Sequence, residues 1–269
     1  MSDRKIVLIT GANTGLGYQI VRALVGSDDA YQVLIGGRSI EKAQKAVKDV
    51  TSEYSSSRSS VSAISVDIDD DKSIEAAFQQ VQKSYGRLDF LINNAGAQFD
   101  PLYHQAGKMT MREMWNASWN TNTVGTQIMT HTSVPLLLKS TDPRLLFITS
   151  GTSTLAGSEN QDLPINKVPP KGWPKPAHPL TDVAAYRSSK TGMNMMMREW
   201  YRNLKEDGVK VWCISPGYLA TGLGGSAEQN KSFGAGDPAV AGEFIRDVLK
   251  GERDGDVGKV ILRDRVQLW

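Results

Sequence analysis

The chain is poor in the residues that mark several protein classes. It has one cysteine, Cys213, and three histidines, His104, His131 and His178, in 269 residues. A lone cysteine cannot form an internal disulfide, and in the apolar stretch VKVWCISP its expected role is buried packing. A reducing, cytoplasmic setting is the matching expectation. The histidines stand far apart without ligand spacing, so no metal site is expected. Long apolar runs are also missing: none approaches the roughly 18 residues of a membrane span, so no membrane association is expected. The first apolar run, in MSDRKIVLIT, follows the opening charges directly and leads into Gly-Ala-Asn rather than a small-residue cleavage site, so it reads as a strand and not a signal peptide. Charge of one sign is lacking too. A net charge of +2 with both signs interspersed offers no basic stripe to nucleic acid.

What is present is an ordinary globular composition, 40% apolar and 22% charged, able to bury a sizeable core. Short β-rich runs alternate with longer helical patterns. KIVLIT, YQVLIG, VSAISV, LDFLIN, RLLFIT, VKVWCIS and KVILRD predict seven strands. Helices are predicted at about 16–25, 40–53, 73–85, 110–139, 183–206 and 239–250. This alternation predicts βαβ units, hence an α/β fold with a doubly wound, mostly parallel sheet and helices on both faces. Two stretches break the pattern. SEYSSSRSSVS reads as a solvated loop, and 151–182 contains PINKVPPKGWPKPAHP (164–179), which carries six of the chain's eleven prolines. By composition alone the latter would be a linker.

The first strand runs into Thr10-Gly11-Ala12-Asn13-Thr14-Gly15-Leu16-Gly17 and a helix. Glycines at such a turn let the backbone approach a pyrophosphate, whose charge meets free N–H groups and the positive end of the helix dipole. The spacing is neither Gly-x-Gly-x-x-Gly nor a P-loop, but a nucleotide is the natural ligand. The second strand ends in Ile35-Gly36-Gly37-Arg38. A carboxylate there would suit a ribose 2′-hydroxyl, whereas a cation suits a 2′-phosphate, so Arg38 points to NADP(H). Asp67 and Ile68 end the third strand, where a carboxylate and main-chain atoms can meet the adenine. Asn93-Asn94-Ala95-Gly96 ends the fourth, where ligands of open α/β sheets bind.

TGANTGLG, NNAG, Asn122 in NTVG, the strand end at Ser150, Tyr186-Arg187-Ser188-Ser189-Lys190 and Pro216-Gly217 with Thr221 occur in the order found in the short-chain dehydrogenase/reductase family, which the chain resembles from Thr10 to Thr221. The resemblance implies a single Rossmann domain over 1–269 with a seven-stranded parallel sheet. It implies an oxidoreductase that moves hydride between nicotinamide and a carbonyl or secondary alcohol of a small to medium substrate. Tyr186 and Lys190, four apart on a predicted helix, share one face. A nearby ammonium stabilises a phenolate and lowers a phenol's pKa from its usual value of about 10. Carried over by motif, Tyr186 exchanges the proton and Lys190 tunes it and holds the nicotinamide ribose. Ser150 binds the carbonyl oxygen, with Ser153 as the competing assignment. Asn122 kinks its helix and continues a proton path; its spacing to Gly125 sets it apart from Asn116 and Asn120. Pro216, Gly217, Leu219 and Thr221 fit the loop around the nicotinamide. The complete set counts against two other readings, a non-redox isomerase or cyclase using the cofactor pocket as a scaffold, and a cofactor-sensing protein without turnover.

Three expectations concern the periphery. The stretch 222–236, with five glycines, reads as a mobile substrate flap. The interval from Ser150 to Tyr186 is longer than the family pattern and, with GWP before the tyrosine, resembles the monomeric carbonyl reductases. The proline-rich insertion at 151–182 is then a stiffened wall or lid, with Trp173 and, from the sixth-strand loop, Tyr218 as substrate contacts. The helices of Asn122 and Tyr186 are the family's usual dimer surfaces, which an insertion can cover, so dimer and monomer both stay open.

Overall fold

The alternation of strand and helix resolves into one sheet. The structure is a computed structural model that describes residues 4–105, 107–176, 178 and 181–269. Strands β1 (Lys5–Ile9), β2 (Tyr31–Gly37), β3 (Ser60–Ser65), β4 (Phe90–Asn93), β5 (Arg144–Ile148), β6 (Lys210–Ile214) and β7 (Val260–Ile261) fall on the seven predicted runs. All pair in parallel, in the order β3-β2-β1-β4-β5-β6-β7. The order reverses between β1 and β4, and beyond the carboxyl ends of those two strands such sheets leave a crevice for a ligand.

The helices are α1 (Gly15–Val25), α2 (Ile40–Glu53), α3 (Asp71–Tyr85), α4 (Asp100–His104), α5 (Met111–Trp119), α6 (Thr126–Leu137), α7 (Leu155–Ser158), α8 (Ala184–Leu204), α9 (Ala227–Ser232) and α10 (Pro238–Lys250). Alternate strand residues feed opposite faces, as the two-residue period requires. Val7, Ile9, Val33, Ile35, Ile148 and Trp212 pack with α1, α2 and α10. Leu8, Leu34, Phe147 and Val211 pack with α3, α6 and α8, where Met193 and Met197 fill gaps, and Cys213 is buried in the same layer. Each fully buried apolar side chain of this size contributes about 1.5–3 kcal/mol relative to exposure.

Helix ends follow local chemistry. Asp70 accepts the N–H of Lys72 ahead of α3 and Asp237 that of Ala239 ahead of α10; both helices stop at a left-handed glycine, Gly86 and Gly251. One expectation changes. The helix predicted over 110–139 is three elements, α5, a π-helical turn Asn120–Gly125, and α6. Its cause is a set of cross-chain bonds within one turn: Asn120 and Thr121 donate to Asp69, Asn122 bonds both to Ala97 and to Ser189, and the Thr123 hydroxyl donates to the Ser189 carbonyl. The stretch 222–236, read as a mobile substrate flap, carries α9, N-capped by Ser226. The insertion 151–182 includes 177, 179 and 180, and the opening run includes 1–3, all outside the described residues.

Candidate active site

The glycine-rich turn is built from both sides of the crevice. Gly11 and Gly15 have φ of 62° and 57°, a left-handed backbone that favours glycine. The Thr10 hydroxyl accepts the N–H of Asn94 at 3.0 Å and of Ala95 at 2.9 Å, while Asn94 Nδ2 donates to the carbonyls of Thr10 and Gly11. The ends of β1 and β4 are thereby tied through Asn94, while Asn93 donates to the Thr130 hydroxyl of α6. A Cβ placed on Gly15 would lie 3.6 Å from Thr221 Cβ, and one on Gly37 3.0 Å from Asn13 Oδ1. Thr221 thus stands over the turn, bringing the 216–221 loop with it, and Asn13 against the end of β2. Leu16 packs beneath, on the α1 face. Arg38 is exposed at that strand end, and Asp67 folds back to accept the N–H of Asp69. A cleft of about 350 Å³ opens beside the turn between Asn13, Thr14, Tyr18, Lys42 and Lys45. Sequence reasoning missed the two lysines; their spacing of three along α2 was the available signal.

Tyr186, Lys190, Ser150 and Asn122 converge at the carboxyl ends of β4 and β5. Ser150 lies near enough to the Tyr186 phenol to favour its ionised form, its hydroxyl also meeting Thr152, and Lys190 Nζ lies 5.9 Å from the centre of the tyrosine ring. Lys190 donates to the Ile148 carbonyl at 2.8 Å. Gly96 sits between the pairs: a Cβ there would be 2.9 Å from Asn122 Oδ1 and 3.1 Å from Lys190 Nζ. Asn122 is fully buried and takes both the N–H and the C=O of Ala97, at 2.9 Å each. Ser153 is excluded as the exposed hydroxyl of this set. Its side chain is buried, donates to the Ser150 carbonyl and accepts from Asn194.

The electrostatics correct one expectation. Burial pushes the Tyr186 phenol up to about 12, opposed by the Ser150 hydrogen bond and assisted by the charge of Asp100. Lys190 does not draw it down. Burial drives the lysine itself down to about 8, and the ammonium is engaged by the Ile148 carbonyl. Desolvation is the largest effect on both buried groups. A phenol so placed keeps its proton near neutrality.

Other predicted positions are less central. Tyr218 is half-exposed and its hydroxyl donates to Asn230, which also holds the carbonyls of Thr221 and Leu223. Leu219 pairs with Gly236 across the base of the same loop, and Gly217 has a φ of 95° after Pro216. Trp173 is 88% exposed and not packed into the site. Residues that sequence reasoning missed hold the site from behind. Arg187 donates to the Thr152 carbonyl, the Ile165 carbonyl and Asn166 Oδ1. Asp100 accepts the N–H of Tyr186. No helix among the described residues is long and apolar enough to cross a membrane, and no His, Cys, Asp and Glu side chains among them form a metal-binding group.

Fold and site together define an oxidoreductase class built on a Rossmann-type sheet. The short chain dehydrogenase family pattern matches residues 5–161 and 177–232, and the chain belongs to the short-chain dehydrogenase/reductase family, whose members use nicotinamide cofactors. The unmatched residues between the two blocks are most of the proline-rich stretch. The short-chain dehydrogenase/reductase tropE of Talaromyces stipitatus is 45% identical over 98% of this chain and 97% of its own length. The short-chain dehydrogenase/reductase eupG of Phoma sp is 43% identical over 98% and 97%. Carbonyl reductase [NADPH] 1 of Macaca fascicularis is 29% identical over 100% and 99%. Among solved structures, the NADPH-bound carbonyl reductase from chicken fatty liver superposes with a TM-score of 0.77 at 21% identity, covering 99% of both chains, which shows the shared fold.

Proposed function

We propose that the chain is an NADPH-dependent reductase of small to medium organic carbonyl compounds, acting in reverse as an alcohol dehydrogenase. The observation that carries this reading is the buried Tyr186 phenol, set one helical turn from Lys190, whose ammonium lies 5.9 Å from the tyrosine ring centre, beside Ser150 at the mouth of the crevice. The cradle beside it suits a dinucleotide. Thr14, at the N-cap of α1, makes no side-chain cap, so the first-turn N–H groups are left to an anion. Gly11, Asn13, Gly15, Leu16 and Gly17 would hold the pyrophosphate, Asp67 and Ile68 the adenine, and Asn94, Ala95, Gly96, Leu219 and Thr221 the nicotinamide half. Arg38, at a strand end without a carboxylate, supports a 2′-phosphate there, as does the lysine-lined cleft. The relation to carbonyl reductase [NADPH] 1 supports the same cofactor.

When bound, the reduced nicotinamide supplies a hydride. Tyr186 donates its proton to the carbonyl oxygen as that oxygen gains negative charge, and Ser150 hydrogen-bonds the same oxygen. Lys190 is to hold the ribose and return a proton to Tyr186. Asn122, locked to Ala97 by two bonds, holds the π-helical turn open beside Lys190. A panel of quinones, aldehydes and ketones, assayed by loss of NADPH absorbance with NADH in parallel, tests the reading. NADPH is expected to be the better donor, and Tyr186→Phe to lower the rate by about a hundredfold or more. Full activity in that variant, or a preference for NADH, would overturn the corresponding part.

A further inference from the structure

α8 starts without a cap of its own. Val183, at its N-cap position, supplies no hydrogen-bonding side chain. A helix start presents up to four unpaired N–H groups, and burying them without acceptors is costly. Here the acceptor comes from another element. Asp100, the first residue of α4, is 1% exposed, and its carboxylate accepts the N–H of Ala185 at 3.0 Å and of Tyr186 at 3.3 Å. The segment leading to it is the one that ties the site together. Asn94 and Ala95 hold Thr10, Ala97 is bonded to Asn122, and Asp100 closes the run on Tyr186. Nucleotide turn, π-helical turn and tyrosine are thus registered by seven consecutive residues.

The carboxylate also carries charge. Among the described residues no lysine or arginine forms an ion pair with Asp100. The titratable groups coupled to this carboxylate are His104 of α4 and Tyr186 of α8. Burial pushes the Asp100 carboxyl up, and the N–H bonds from α8, with a smaller contribution from His104, pull it back.

We propose that Asp100 is a positioning residue for the reaction. Its carboxylate fixes the first turn of α8, and with it Tyr186, through the backbone N–H groups of Ala185 and Tyr186. The proposal rests on Tyr186 being the acid. Two variants test it: Asp100→Asn keeps the size and one acceptor oxygen, and Asp100→Ala removes the acceptor altogether.

Three measurements decide it: kcat and KM with NADPH and an ortho-quinone, NADPH affinity by fluorescence quenching, and amide hydrogen exchange over 183–188. In Asp100→Ala, kcat is expected to fall about tenfold or more and the amides of Ala185 and Tyr186 to exchange faster, with NADPH affinity unchanged within about twofold. Asp100→Asn, which keeps one acceptor, is expected to recover most of kcat and of the protection. A merely structural acid would lower the melting temperature and leave kcat of the folded enzyme unchanged. Unchanged kcat or unchanged exchange in Asp100→Ala overturns the proposal. If the unmodified chain reduces no carbonyl with NADPH, the reading of function fails, and exchange alone then decides whether Asp100 caps α8.

Discussion

At the scale of single residues, the site depends as much on atoms that are missing as on reactive ones. A Cβ on Gly125 would stand 2.2 Å from the Ile68 carbonyl oxygen, inside any tolerable contact. Gly125 closes the π-helical turn that holds Asn122, and Ile68 follows the end of β3 where the adenine is proposed to lie. The Asn-x-x-Gly spacing therefore has a steric reason, since this turn must press against that carbonyl. Gly125→Ala is expected to destabilise the fold by about 1–3 kcal/mol, as overpacking of a tight contact does. It should also weaken NADPH binding, because the displaced backbone is that of Ile68. Gly255→Ala, where an added Cβ meets nothing within 4 Å, is the control and should leave the melting temperature nearly unchanged. Thermal melts of the three proteins with and without NADPH check both statements, and an equal shift in the two variants would contradict them.

At the scale of elements, α8 does more than carry Tyr186 and Lys190. Arg187 reaches out of the same turn to three acceptors in 152–166, Thr191 donates to the Ser153 carbonyl and Asn194 to the Ser153 hydroxyl. Asn166 completes the weave by donating to the carbonyls of Gly157 and Asn160. The first half of the long segment is thus clasped to the tyrosine helix. Burial pulls the guanidinium of Arg187 down, and its bonds go to neutral acceptors. Each such bond contributes about 1 kcal/mol net, so Arg187→Ala is expected to speed amide exchange of Gly157, Glu159, Asn160 and Asn166 about tenfold or more. Arg187→Lys should restore little, because one ammonium cannot fork to three acceptors. Unchanged exchange would show that the segment holds itself. These contacts also mark the limit of what was legible in the chain. All seven strands and most of the helices follow from periodicity, because local pattern fixes them, and the grouping of Asn122, Ser150, Tyr186 and Lys190 was implied by the motifs the chain shares with its family. Asp100, Arg187 and the break in the 110–139 helix do not, because each is a partnership between positions far apart in sequence. Trp173 shows the converse: its apolar character suggested a pocket wall, but among the described residues no neighbouring element buries it.

At the scale of the whole molecule, stability and chemistry sit at opposite ends of the sheet. Tyr186 and the glycine-rich turn occupy the carboxyl ends of the strands. At the amino ends, Arg144 opens β5 and Lys210 opens β6, and both bind Asp142 and Asp254, so that two strands are joined to the turn after α10. Arg144 is 3% exposed, donates to the Val248 carbonyl and lies over the rings of Phe90 and Trp212, at 6.0 Å and 5.6 Å. Removing one partner from such a cluster leaves a buried charge short of compensation, which costs more than the pair contributes. Burial alone would raise the carboxyls of Asp142 and Asp254, but the hydrogen bonds from Arg144 and Lys210 outweigh it and hold both below the usual range. The sign of the linkage follows. A folded-state pKa below the unfolded value of about 3.9 gives stability that is present above that pH and is lost as pH falls through the folded values. Asp254→Asn should therefore melt well below the unmodified protein at neutral pH, and the gap should narrow as pH falls below the unfolded value of about 3.9 and on through the lower folded value, where Asp254 takes up its proton in the folded protein as well. NADPH affinity at neutral pH, set at the far end of the strands, should be the same in both. Melting curves at stepped pH test this directly: a gap that stays constant down to acid pH would mean that Asp254 acts through shape alone, and a loss of NADPH binding would mean that the two ends of the sheet are coupled.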